Sequence, residues 1–320
     1  MSVLVFVETW DGKFKKASFE AASYASRLAS LYGTKANAVV INGKDDLSSL
    51  GKYGIDRIFS IEDSGLSDFN NYKFAEIISK IAKDTAARVV VISGTFTGKM
   101  ITPLVAVNLS AAPITNVVAD PESISPLKIK RSCFSNKGFV YYESQAEISV
   151  VSIVPNALGI SEQPGQATVE LISITPETKV SVEILEIDRA KGKIPLPEAE
   201  RVVSAGRGLK APENWTLIEE LAEVLDASTA CSKPVSDMHW RPHSEHVGQT
   251  GITINPQLYI AIGISGAIQH LAGVSGSKTI VVINSDPEAP FFKAADYGVV
   301  GDAFKVVPAL TQALKNFKAQ

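Results

Sequence analysis

The sequence predicts an α/β protein of two domains. An N-terminal parallel-sheet α/β domain with added hairpin strands spans 1–190, a linker spans 191–200, and a doubly wound domain spans 201–320. Three observations predict it. Short apolar runs alternate with helical stripes as far as about residue 113. From about Ile114 the spacing changes to strand-like alternation. Finally, Lys191-Gly192-Lys193-Ile194-Pro195-Leu196-Pro197-Glu198 has two prolines and no period, and a second series of buried-strand runs follows it.

The chain opens on an apolar run, Val3 to Val7. Ala17, Ala21, Tyr24, Ala25, Leu28 and Leu31 then recur at helical spacing, and Gly33 is placed to end that helix. Ala38–Ile41 and Arg57–Ile61 read as strands, Phe74, Ile77, Ile78 and Ile81 as a helical stripe, and Val89–Ile92 as a central strand. This β-α-β rhythm calls for a parallel sheet covered on both faces. Lys128–Cys133 and Phe139–Gln145 alternate around Asn136-Lys137-Gly138 as a hairpin, and Ile148–Val154, Val169–Ile174 and Val180–Ile187 read as further strands. In the second domain, Asn214–Ala227 carries Trp215, Ile218, Leu221, Ala222 and Leu225 on one helical face. The strands Leu258–Ile262 and Thr279–Ile283 and a helix from about Phe304 complete it.

With 320 residues, 45% of them hydrophobic, the chain can bury full cores. A net charge of −3 without any basic run argues against nucleic acid as a partner. No apolar stretch reaches transmembrane length, and no secretion signal precedes the first strand. Cys133 and Cys231 are too few for a disulfide framework and read as reduced thiols of a cytosolic protein.

The most informative segment is Leu258 to Gly273. A buried strand runs into Gly263-Ile264-Ser265-Gly266, and a short helix over Ala267–Leu271 follows, with His270 at its end. Glycines let backbone approach a ligand, Ser265 can cap the helix, and free N–H groups at a helix start attract phosphate. Taken alone, the same turn could also be a tight strand-to-helix connection without a ligand. Ser265, Asn284 and Asp302 each follow a strand, so they can line one crevice at the carboxyl edge of the sheet. Arg207 stands in a Gly-Arg-Gly turn after the strand Val202–Ala205, where a guanidinium could meet pyrophosphate. Ser93-Gly94-Thr95-Phe96-Thr97-Gly98-Lys99 lacks the spacing of a phosphate loop and reads as an ordinary strand-to-helix connection. His239, His243 and His246 cluster with Glu245, but Pro242 interrupts any shared helical face and Arg241 adds positive charge. A polar loop beside the crevice, with no metal, is the expectation.

From Arg201 onward the chain resembles the FAD-binding domain of the electron transfer flavoprotein alpha subunit. The resemblance rests on Val203-Ser204-Ala205-Gly206-Arg207-Gly208-Leu209, Val247-Gly248-Gln249-Thr250-Gly251, Gly263-Ile264-Ser265-Gly266-Ala267-Ile268-Gln269-His270, Ile283-Asn284-Ser285-Asp286-Pro287 and Ala295-Asp296-Tyr297-Gly298, in the family's order. It implies an electron carrier without catalytic residues, paired with a beta subunit that holds AMP or a second FAD. It also implies electrons arriving from acyl-CoA dehydrogenases and leaving to a quinone reductase, as in fatty acid oxidation. The compartment would be the bacterial cytoplasm, or the mitochondrial matrix for a processed eukaryotic chain. By the same resemblance, Arg207 and Ser265-Gly266 meet phosphate, with Ala267, Ile268 and Gln269 continuing that wall. Ser232 and Val247, Gly248, Gln249 and Thr250 contact the flavin, and His270, in its positive form, faces the pyrimidine end. Asn284, Asp302 and Ala303 hold the adenosine. Lys233 stands where the family usually has arginine, keeping the charge beside the ring but losing the planar group. The rival reading is a nucleotide-dependent oxidoreductase or deacylase on a related dinucleotide fold, with His270 catalytic.

Overall fold

A computed structural model describes residues 1–134, 136–178, 180, 182, 184–185 and 194–319. Packing divides the chain into one unit of Met1–Cys133 with Phe139–Asp188 and another of Phe134–Gly138 with Arg189–Gln320. The expected break at 190/191 and the first part of the 191–200 linker lie outside the described residues. Its described remainder contains a single 3-10 turn, Leu196–Glu198.

The first unit runs β1 (Ser2–Val7), the ribbon β2 (Thr9–Trp10) and β3 (Lys13–Phe14), α1 (Lys16–Leu31), β4 (Ala36–Ile41), β5 (Ile55–Ile61), α2 (Asn71–Asp84), β6 (Ala87–Ser93), α3 (Phe96–Leu109), β7 (Ala112–Val117), β8 (Ser123–Ile124), β9 (Leu127–Cys133), β10 (Gly138–Ser144), β11 (Ser149–Ile153) and β12 (Thr168–Leu171). The main sheet is ordered β10-β9-β7-β11-β6-β1-β4-β5-β12. Its strands from β7 to β12 are parallel, and β9 runs antiparallel to β7. One apolar layer packs α1 on the sheet and the other packs α2 and α3, as helices on both faces require. Tyr24, Ala25 and Leu28 are buried as the stripe predicts, but Leu31 is exposed in the last turn of α1. Gly33 lies beyond the helix end with φ 63°, where its N–H bonds the Ser30 carbonyl.

Two readings change. Ile114 belongs to a parallel strand, and β11 enters the middle of the sheet between β6 and β7. Strand-like spacing alone cannot place a strand within a sheet. The strand expected at Val169–Ile174 stops at Leu171, and the one expected at Val180–Ile187 shows no strand at its described positions. The Ser93–Lys99 connection is structural: Thr95 caps α3 through Gly98, and Gly98 leaves no room for a side chain beside the Ser93 carbonyl.

The second unit contains β13 (Arg201–Ala205), α4 (Thr216–Leu225), β14 (Ser228–Cys231), α5 (Lys233–Asp237), β15 (Leu258–Ile262), α6 (Ile268–Val274), β16 (Thr279–Asn284), β17 (Tyr297–Val300) and α7 (Ala303–Lys318). Its sheet is parallel throughout, in the order β14-β13-β15-β16-β17. The chain leaves β13 to one side for β14 and returns to the other side for β15. The order therefore reverses between β13 and β15, and in open α/β sheets the crevice outside that point is where ligands bind. Trp215, Ile218, Leu221 and Val307 build one apolar layer, and Tyr259, Ile254, Val274 and Phe291 the other.

Candidate functional site

Outside the carboxyl ends of β13 and β15 lies a crevice of about 470 Å³, within the ordinary range for a small-molecule site. Backbone crossing at close range shapes its floor. The Gly208 N–H donates to the Gly263 carbonyl over 3.1 Å. A Cβ on Gly206 would stand 2.4 Å from that carbonyl oxygen, and one on Gly208 would stand 2.6 Å from the Gly263 Cα. Gly263 also has φ 60°, a left-handed turn that aims the chain from strand to crevice.

The sequence-predicted residues largely converge. The guanidinium of Arg207, exposed at the rim, makes no ion pair or hydrogen bond among the described residues, while its carbonyl accepts from the Lys210 N–H over 2.9 Å. Ser232 is buried at the end of β14, its N–H donating to the Ala205 carbonyl over 3.1 Å. Val247, Gly248, Gln249 and Thr250 form a wall pinned to α6 by the Gln249 N–H on the Gln269 carbonyl at 2.7 Å. Ser265, Ala267, Gln269 and His270 also line the crevice, as does Asn284, its amide donating to the Ile264 carbonyl over 3.0 Å.

Four predicted residues stand apart from the lining. Gly266, at φ 83°, is spent on packing: a Cβ there would lie 2.5 Å from the Phe291 Cα. Ile268 is 61% exposed. Asp302 caps α7, its carboxylate accepting from the Phe304 N–H over 3.1 Å, and Ala303, the first residue of α7, is buried in the core. The short helix also shifts. It begins at Ile268 with Ala267 at its cap, so Ser265 does not cap it and His270 lies in its first turn instead of its last.

Two electrostatic readings are corrected. Lys233 lines the crevice, but its ammonium is held by Asp237 at 2.8 and 2.9 Å, one turn along α5. That hydrogen bond, and secondly the Lys233 charge, hold the Asp237 carboxyl below its usual range. At the Lys233 position the charge is therefore a pair, not a free cation. His270 is 7% exposed, and its Nε2 lies 2.8 Å from the Tyr259 hydroxyl. Burial pushes its pKa down to about 4, His246 acts in the same direction, and the Val247 backbone opposes. His270 is neutral near pH 7, against the positive form expected from the resemblance, because a buried imidazolium loses its hydration.

The sequence places His246 in a loop beside the crevice but does not single it out as a lining residue. Only 2% exposed, it lines the crevice, and its Nδ1 is buried without a partner. Burial first, then the charges of His243 and Lys233, lower its pKa. Its place directly before Val247-Gly248 was the available signal. His239 and His243 instead line a separate shallow depression with Arg241. Among the described residues no cluster of three or more His, Cys, Asp or Glu could hold a metal ion. No described helix is long and apolar enough to cross a membrane.

The donor set suits a flavin dinucleotide. The site has an unpaired guanidinium at its rim, glycine backbone along its floor, and two buried imidazoles whose Nδ1 atoms lack partners. A family model for the electron transfer flavoprotein domain matches residues 3–178, and one for the electron transfer flavoprotein FAD-binding domain matches 195–275. Asn284, Asp302 and Ala303 lie beyond the second match. The electron transfer flavoprotein subunit alpha of Thermoanaerobacterium thermosaccharolyticum is 35% identical over 327 residues, 99% of this chain and 98% of the relative. That of Bacillus subtilis is 33% identical over 318 residues, covering 98% and 97%. Protein FixB of Azotobacter vinelandii is 32% identical over 327 residues, covering 98% and 91%. Crevice, sheet order and near-complete alignment agree, and the chain belongs to the electron transfer flavoprotein alpha subunit family.

Proposed function

We propose that this chain binds FAD in the β13/β15 crevice and serves as the alpha subunit of a two-subunit electron carrier. The observation that carries the reading is the crevice itself, placed at the strand-order reversal and lined by Arg207, the Gly206–Gly208 turn and the His270 wall. Bound there, FAD would supply one- and two-electron chemistry, and the protein's part is to bind, orient and tune it. Arg207 would hold phosphate. Val247 to Thr250 and Ser232 would frame the ring, and His246 and His270 would offer imidazole nitrogens to its polar edge. Lys233 with Asp237 would set the local field. Asn284 would approach the adenosine portion, with Asp302 and Ala303 acting from behind the wall.

The partner is a beta subunit carrying AMP or a second FAD. The donors are flavoenzymes of the acyl-CoA dehydrogenase type, and the acceptor is a quinone reductase or similar protein. The alternative of a nucleotide-dependent oxidoreductase or deacylase needs a titrating His270, and the burial of that ring works against it. Co-expression with the beta subunit should yield a yellow heterodimer with FAD, while this chain alone should retain flavin poorly. A colourless complex after supply of FAD refutes the reading.

A further inference from the structure

Tyr259 lies within β15, fully buried, with its hydroxyl 2.8 Å from His270 Nε2. Burial raises the Tyr259 pKa well above the usual phenol range, so the group is a neutral O–H. Ser204 is close enough to temper that shift, yet its own buried hydroxyl makes no hydrogen bond of good geometry. The acceptor available to the phenol hydrogen is therefore Nε2 of His270. A neutral imidazole carries one hydrogen, so a ring that accepts at Nε2 carries it on Nδ1. Phe291 meets the ring edge-on at a centroid distance of 5.7 Å and helps keep its plane.

The opposite arrangement is less favourable. If Nε2 carried the hydrogen and donated to Tyr259, the phenol O–H would be left in the core without a well-placed acceptor. A buried unmade hydrogen bond costs roughly as much as a made one contributes, or more. In the favoured arrangement the phenol is satisfied, and Nδ1, which has no partner of good geometry and lies near the Val247 backbone, belongs to a ring in the crevice wall.

We propose that Tyr259 is a positioning residue that locks His270 in its Nδ1–H form, so that the crevice wall presents a neutral hydrogen-bond donor to an acceptor atom of the bound ligand. The identity of that ligand as FAD rests on the function proposed above. The tautomer does not.

The test uses the chain purified with its beta subunit and FAD, with histidine labelled in ¹⁵N. Long-range ¹H–¹⁵N spectra should show His270 as a single tautomer, protonated at Nδ1. Tyr259→Phe, which removes only the hydroxyl, should give a mixture of tautomers and raise the FAD dissociation constant roughly three- to tenfold, the range of a net hydrogen bond. Should Tyr259→Phe fail to fold, the pair His270→Asn and His270→Gln decides. Asparagine can place an amide donor near the Nδ1 position and glutamine near Nε2, so His270→Asn should retain FAD better. An Nε2–H wild type, an unchanged tautomer in Tyr259→Phe, or better retention by His270→Gln overturns the proposal. A wild-type complex that shows the Nδ1–H form but takes up no FAD overturns the flavin reading alone.

Discussion

Arg207 is the residue whose role is simplest to isolate. It is exposed, has no ion pair among the described residues, and stands on a turn whose backbone is fixed by Gly208 bonding to Gly263. Its loss should leave the fold intact. A charge-assisted contact to phosphate contributes roughly 1.5–3 kcal/mol, so Arg207→Ala should weaken FAD binding by about tenfold or more. The flavin potential should change little, because the phosphate is remote from the ring. Titration of apo-protein with FAD checks it, and unaltered affinity removes Arg207 from the site. Lys233 is different because its charge is shared with Asp237. Lys233→Arg should be tolerated. Lys233→Glu should make the flavin harder to reduce by reversing the field at the ring, and Asp237→Asn should make it easier by freeing the ammonium. Spectroelectrochemical titration separates them. Potentials that ignore both substitutions would place the pair outside the flavin's field.

Among the elements, α6 and the Val247–Thr250 segment are coupled by backbone contact. A Cβ on Gly273 would stand 2.5 Å from both Cα and N of Gly248. Helix propensity alone favours Gly273→Ala by about 1 kcal/mol. The clash opposes it, and since both partners are backbone, no side-chain rotation relieves it. Overpacking of this kind costs roughly 1–3 kcal/mol. Gly273→Ala should therefore lower thermal stability, and it should weaken FAD binding by moving the segment that pairs with Gln269. Equal or higher stability with unchanged binding would show that the two segments separate freely. The β13–β15 junction follows the same logic through Gly206, Gly208 and Gly263, where the turn and the close crossing are one device.

For the molecule as a whole, buried His270 ties the stability of the C-terminal unit to pH. Burial holds its folded pKa down to about 4, against about 6.5 in an unfolded chain. Between these values the unfolded state binds more protons. The stability His270 confers is thus fully present above about pH 6.5, declines as pH falls, and is lost by about pH 4. The loss amounts to about 3 kcal/mol, with His246 adding in the same direction. Denaturation of the ligand-free chain across that window should show the decline, and His270→Gln should flatten it. A variant as acid-sensitive as the wild type would assign the effect to other groups.

Much of this was legible in the linear chain because it depends on local spacing. The apolar runs of β1, β4, β6, β15 and β16, the helical stripes of α1, α2 and α4, and the Gly/Ser/His turn after β15 are written in neighbouring residues. Their order identifies the family. What the tertiary structure decided is long-range. The insertion of β11 between β6 and β7 and the strand-order reversal between β13 and β15 arise from pairings of segments far apart in sequence. So does the sorting of the glycines: Gly206 and Gly263 shape the crevice, whereas Gly266 packs against Phe291. The charge states changed most. Lys233 gained Asp237, and His270 lost its proton to burial against Tyr259 and Phe291. A residue's type sets which charges it can carry, but the surrounding dielectric and the partners brought within reach choose among them, and those exist only once the chain has folded.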